Sequence, residues 1–163
     1  MNYETEEKFM DDVETCLKNC GCKTWREVIP DNCLGWEHPY QVDLIFYRDD
    51  CGYIGVEGKN INTLRSAKKI SNAIDQINIK YRNQTYFKGN LISRWCIVAP
   101  YNVDWMSEES QDLMKTFLKN FLNSRYNISM MEFCKGVNGY KSSISIDTYT
   151  KKCLHFIEVN NNG

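Results

Sequence analysis

The chain has 163 residues, 42% hydrophobic and 25% charged, and its formal net charge of −1 excludes a generic nucleic-acid glue. That length suits one buried core rather than two ordinary domains, so a single domain over 1–163 is expected, with its core at about 4–125 and a C-terminal β extension at about 126–159. No apolar run approaches the ~20 residues of a membrane span, and the acidic opening MNYETEEKF is unlike a secretory signal; we expect an intracellular protein, cytoplasmic or nucleoid-associated, with no membrane partner. The first predicted element is a helix in ETEEKFMDDVETCLKNCG, where Phe9, Met10, Val13, Leu17 and Cys20 recur at helical spacing behind acidic first-turn residues and Gly21 closes the run. TWREVIP follows as a short strand and QVDLIFYRDDCGYIGVEGKN, residues 41–60, as a β-hairpin. RSAKKISNAIDQINIKYRN reads as a second helix with Ala67, Ile70, Ala73 or Ile74, and Ile77 inward, and LISRWCIVAP as a buried strand. A third helix is predicted in SEESQDLMKTFLKNFLNSRY, with Ser107 as its N-cap and Leu113, Phe117, Leu118 and Phe121 inward. ISMMEFCKG, SSISIDT and CLHFIEV give up to three more strands, and the whole reads as a mixed α/β fold with helices covering a sheet.

The hairpin carries the chemistry. Side chains alternate faces along a strand, so Val42, Leu44 and Phe46 share one face, while Gln41, Asp43, Ile45 and Tyr47 share the other. On the second strand Ile54 and Val56 point one way, and Tyr53, Gly55, Glu57 and Lys59 the other. Pairing across the short turn brings Asp43 near Glu57, and two such carboxylates repel unless a proton or a metal ion lies between them.

Charge is unevenly distributed. Residues 1–50 hold twelve Asp/Glu against five Lys/Arg, whereas residues 59–94 hold eight Lys/Arg against Asp75 alone. An acidic third beside a basic segment suits a protein that binds an anionic polymer next to a metal-holding carboxylate cluster. The eight cysteines, at 16, 20, 22, 33, 51, 96, 134 and 153, are expected to be mostly reduced structural thiols in a chain without an export signal. CLKNCGC lacks the paired spacing of a zinc site, which leaves Cys16, Cys20, Cys22 and Cys33 as a minor alternative and Cys96 as core.

The order αβββαβ, with Asp43 on one hairpin strand and Glu57-Gly58-Lys59 on the next, resembles the PD-(D/E)XK nuclease superfamily over residues 4–100. The resemblance implies a restriction endonuclease-like core, a mixed sheet flanked by helices, here with extra C-terminal strands. It implies that Asp43, Glu57 and the carbonyl of Gly58 hold Mg²⁺ or Mn²⁺, hard ions that favour oxygen ligands, and that Lys59 orients or deprotonates the attacking water beside the scissile phosphate. A first-helix glutamate often completes such a site, which points to Glu6, with Glu7 and Glu14 as alternatives. The RecB-like branch has a helix-2 glutamine followed by tyrosine four residues later; Gln76 is followed by Tyr81, five residues on. Further departures are Val42 before Asp43 and a glycine between Glu57 and Lys59. His38 lies in a loop five residues before Asp43, unlike the helical metal-binding histidine of the cap-snatching branch, and reads as a strand-flanking residue. Cys134 and Cys153 are too widely spaced for the iron–sulfur set of Cas4-like and AddB-like relatives, so no cluster is expected.

The function implied is a metal-dependent DNA endonuclease with Asp43, Glu57, Lys59 and Gln76 in its catalytic site, acting as a homodimer on two strands. Arg65, Lys68, Lys69, Lys80 and Arg82 are the expected nucleic-acid contacts. The alternatives are an RNA endonuclease with the same site, and an inactive descendant that binds nucleic acid or a protein.

Overall fold

A computed structural model describes the backbone of residues 5–49, 52–59, 68–102, 128–130, 144–147 and 152–159, with side chains at 5–49, 52–59, 72–98, 156, 158 and 159. Helix α1 (Glu6–Asn19) starts at Thr5, whose side-chain oxygen accepts a 3.2 Å hydrogen bond from the Lys8 amide. Glu6 and Glu7 occupy the first turn, where carboxylates oppose the positive end of the helix dipole. Gly21, at φ 82°, ends the helix in the left-handed conformation that glycine adopts without a Cβ penalty. The buried stripe of α1 is Phe9, Met10, Val13, Cys16 and Leu17, the predicted one except that Cys16 joins it and Cys20 is only half-buried.

Strands β1 (Lys23–Val28), β2 (Val42–Arg48) and β3 (Gly52–Gly58) form an antiparallel meander. Helix α2 (Lys68–Gln76) and a π-helical turn (Ile77–Tyr81) then lead through a small hairpin, β4 (Tyr86–Phe87) and β5 (Asn90–Leu91), into β6 (Arg94–Asn102). β6 pairs with β3 in parallel, a pairing that needs a crossover such as this one. After it come β7 (Ile128–Met130), β8 (Ile144–Asp147) and β9 (Lys152–Val159). The mixed sheet runs β1-β2-β3-β6-β9-β7, with β8 also on β9. The mixed α/β class is therefore observed: the first hundred residues run α1, β1–β3, α2, then the β4–β5 hairpin before β6, and strands are present in the three predicted C-terminal segments. The third predicted helix lies outside the described residues. No helix of the described residues is long and apolar enough to cross a membrane.

The sheet is covered on both faces. The α1 stripe packs with Leu44, Phe46, Ile54, Val56, Cys96, Val98 and Phe156. Ala73, Ile74, Ile77 and Tyr81 pack on the other side with Ile45, Trp95 and Ile97. The predicted alternation holds along the hairpin, with one exception: Val42 joins the second cluster together with its cross-strand partner Val28. The backbone leaves the extended region at Glu27, φ 50°, just before Val28, and interrupts the alternation there. Gly55 lies directly under the Trp95 ring; a Cβ there would sit 2.5 Å from two ring carbons. The glycine is what lets the indole lie flat on the strand.

Arg82 holds the crossover to the sheet. It is 6% exposed; Nε donates to Asn78 Oδ1 at 3.2 Å, Nη1 to the Ser93 carbonyl at 3.0 Å and Nη2 to the Val159 carbonyl. This corrects the expectation that Arg82 contacts nucleic acid: its guanidinium joins the π turn to the start of β6 and the end of β9, away from solvent. Lysine has no planar fork to bridge two carbonyls. Arg82→Lys is therefore expected to lower unfolding free energy by about 2 kcal/mol in a denaturant titration; an unchanged midpoint would contradict the clamp.

Candidate functional site

The register Leu44↔Val56, carried on by one pair, sets Asp43 opposite Glu57 where β2 begins and β3 ends. Asp43 is half-buried and its Oδ2 accepts the Gly58 amide at 2.9 Å. Glu57 is 4% exposed, and its Oε1 is buried with no hydrogen-bond partner. Burial, and then the negative charge of Asp43, push the Glu57 carboxyl up to about 8. Asp43 is also raised, by burial first, with the Gly58 amide and Lys59 opposing. Half-buried Lys59 draws both acids back toward ionisation, so the three predicted residues form one electrostatic unit. Its amide donates to the Val98 carbonyl at 2.9 Å, continuing the parallel pairing one residue beyond β3.

Two further residues join them. Gln76 Nε2 donates to the Tyr81 hydroxyl at 2.7 Å. Five residues would carry a pair past one face of an α-helix, but this segment is π-helical, with the Arg82 amide bonded to the Ile77 carbonyl at 2.9 Å. Its i→i+5 repeat restores the contact that a four-residue spacing would make in an α-helix. Tyr81 is buried and its phenol is held well above the ordinary range, by burial first and then by the charges of Glu57 and Asp43. Its ring stacks on Tyr40 at 5.0 Å and on Trp95 at 5.3 Å. The π turn accounts for the five-residue spacing between Gln76 and Tyr81.

The remaining predicted residues are placed as follows. Glu6 is exposed in the first turn of α1, and among the described residues no group of three or more His, Cys, Asp and Glu is arranged to hold a metal ion. Glu6 is thus not gathered with Asp43 and Glu57. Glu7 is exposed, and Glu14 accepts from Thr24 at 2.7 Å, tying α1 to β1. Gly58 is buried beneath α1, where a Cβ would fall on Met10 Sδ and 3.2 Å from Phe9. Lys80 is exposed, its Nζ 4.9 Å from the Tyr40 ring centre. Arg65 and the side chains of Lys68 and Lys69 lie outside the described residues. His38 is exposed, 3.9 Å from Glu37 Oε1.

Cys16, Cys22, Cys33 and Cys96 are buried thiols outside any disulfide; burial, then Cys22, push Cys16 up to about 12, which leaves it inert. Cys20 is disulfide-bonded, an exception to the expectation that most of the cysteines are reduced. It sits half-buried at the end of α1, packed against the core.

Asp43 and Glu57 are two oxygen donors of the kind a hard divalent cation takes, without a third carboxylate, His or Cys gathered to them among the described residues. A buried carboxylate oxygen without a partner, facing a second raised carboxylate, has the unmet demand that a cation would satisfy. Comparison with protein-family models, curated proteins and solved structures finds no match.

The Glu57 proton has a consequence for stability. Glu57 ionises near 4.5 ordinarily but near 8 when folded, so between those pH values the folded chain binds more protons than the unfolded one. Its contribution is complete below about pH 4.5 and is lost as pH rises to about 8. Melting in chelator should therefore fall across that window in wild type by the equivalent of a few kcal/mol, on the order of 1.4 per pKa unit. Glu57→Gln should remove that slope; parallel profiles for the two proteins would contradict it.

Proposed function

We propose that the protein is a Mg²⁺- or Mn²⁺-dependent nuclease with a restriction endonuclease-like core, hydrolysing phosphodiester bonds in DNA. The observation that carries this reading is the buried, unpartnered Oε1 of Glu57 opposite Asp43, with Lys59 coupled to both. A buried acid pair of this kind costs stability and has no packing purpose on a strand whose neighbours are Ile54 and Val56.

In this reading Asp43 and Glu57 hold the ion, with Gly58 contributing its carbonyl, and the Gly58 amide fixes one oxygen of Asp43. The bound ion would supply Lewis-acid stabilisation of the charge that grows on a scissile phosphate. Lys59 adds a fixed positive charge on the same strand, two residues and about 7 Å from Glu57, within reach of the phosphate or the attacking water. Gln76 and Tyr81 are positioning residues: the amide holds the phenol, and the phenol is wedged between Tyr40 and Trp95 beside the acids. Hydrolysis adds water across one P–O bond and releases a hydroxyl end and a phosphate monoester end. A homodimer would bring two such sites to the two strands of a duplex.

The test is cleavage of supercoiled plasmid, linear duplex, single-stranded DNA, four-way junction and RNA with Mg²⁺ or Mn²⁺. Asp43→Asn, Glu57→Gln and Lys59→Ala should each slow cutting by roughly 100-fold or more without loss of the folded state. Cutting by all three at the wild-type rate would sink the assignment. RNA cut in preference to DNA would keep the site and change the substrate.

A further inference from the structure

The loop between β1 and β2 is held by hydrogen bonds along its length yet presents apolar side chains to solvent. Its backbone is tied by Cys33 N–H to the Pro30 carbonyl at 2.9 Å and Trp36 N–H to the Cys33 carbonyl at 3.0 Å. Asp31 and Asn32 accept the amides of Gly89 and Tyr86, each at 2.9 Å, which locks the loop to the β4–β5 hairpin. Tyr40 closes it with a buried 2.8 Å hydrogen bond to Thr85. On this fixed frame Leu34 is 72% exposed and Trp36 49% exposed.

Trp36 is also the outer end of an aromatic column. Its ring meets Tyr40 edge-on at 6.2 Å, Tyr40 stacks on Tyr81, and Tyr81 stacks on Trp95. The column therefore leads from an exposed indole inward to the buried rings of Tyr81 and Trp95. Lys80 extends over the Tyr40 ring, placing a cation against the aromatic residue that Trp36 touches.

We infer that this lip grips an unpaired nucleotide of a single-stranded segment, Trp36 stacking on the base and Lys80 meeting a neighbouring phosphate. The inference rests on the nuclease reading. Aromatic rings interleaved with lysine are the chemistry of single-strand binding, because every base offers a π face and every linkage a negative charge. A base inside a blunt duplex has its faces covered by stacking, so an indole on this lip gains nothing from it.

The test is anisotropy of a labelled oligothymidylate and of a labelled blunt duplex, in chelator so that nothing is cut, with Mg²⁺-dependent cleavage read separately. Trp36→Ala should weaken single-strand binding by roughly ten- to a hundred-fold and leave duplex binding within about two-fold, while Trp36→Phe keeps most of the affinity. An unchanged melting temperature would show both variants folded, as a half-exposed side chain allows. If wild type cuts nucleic acid but Trp36→Ala binds single strands equally well, or loses both ligands equally, the inference fails, the nuclease reading stands and the loop is left to a protein partner. If wild type neither binds nor cuts any nucleic acid, the nuclease reading fails and the inference with it.

Discussion

Burial of the Glu57 carboxyl against Asp43 is the interaction around which the rest is arranged. A carboxyl group taken out of water loses its hydration, and a second carboxyl opposite adds repulsion if both ionise. The pair relieves this through the Glu57 carboxyl, pushed up to about 8 by burial and then by the charge of Asp43, which favours its protonated form at neutral pH. Around the pair, the Gly58 amide takes one oxygen of Asp43 and Lys59 supplies positive charge. A glutamine or an apolar residue at 57 would relieve the desolvation more simply. Keeping an acid there stores a demand for positive charge at the end of two rigid strands, which is how a site holds a ligand in fixed geometry.

The packing that makes this possible depends on two glycines in β3. Gly55 lets Trp95 lie on the strand, and Trp95 in turn supports Tyr81. Gly58 lets Met10 and Phe9 of α1 close over the opposite face, directly behind the acid pair. The glycine between Glu57 and Lys59 is therefore not a missing apolar side chain; the helix fills the volume that a side chain would take. Arg82 completes the frame by bonding the crossover to the ends of β6 and β9.

Much of this was legible in the sequence, for local reasons. The stripe of α1, the alternation along the hairpin and the pairing of Asp43 with Glu57 follow from periodicities of 3.6 and 2 and from a short turn. The π turn was not legible, because a one-residue expansion of a helix leaves no compositional mark; its trace was the five-residue step from Gln76 to Tyr81. Nor was the burial of Arg82, since a basic residue at a helix end reads as solvent-facing unless the carbonyls it meets are known. The Tyr40 column and the β4–β5 hairpin depend on contacts between distant segments, such as Tyr40 with Thr85. Glu6, chosen for its place one turn before Phe9, is exposed because the inward stripe begins only at Phe9.

The proposed metal site requires that Glu57 keep its proton until a cation replaces it. It is tested most directly by calorimetric titration of the protein with Mn²⁺ at pH 7 in buffers of different ionisation enthalpy, which counts protons released on binding. The account predicts saturable binding with release of about one proton per protein, and loss of that release in Glu57→Gln. Binding without proton release, or no binding in any buffer, would contradict it.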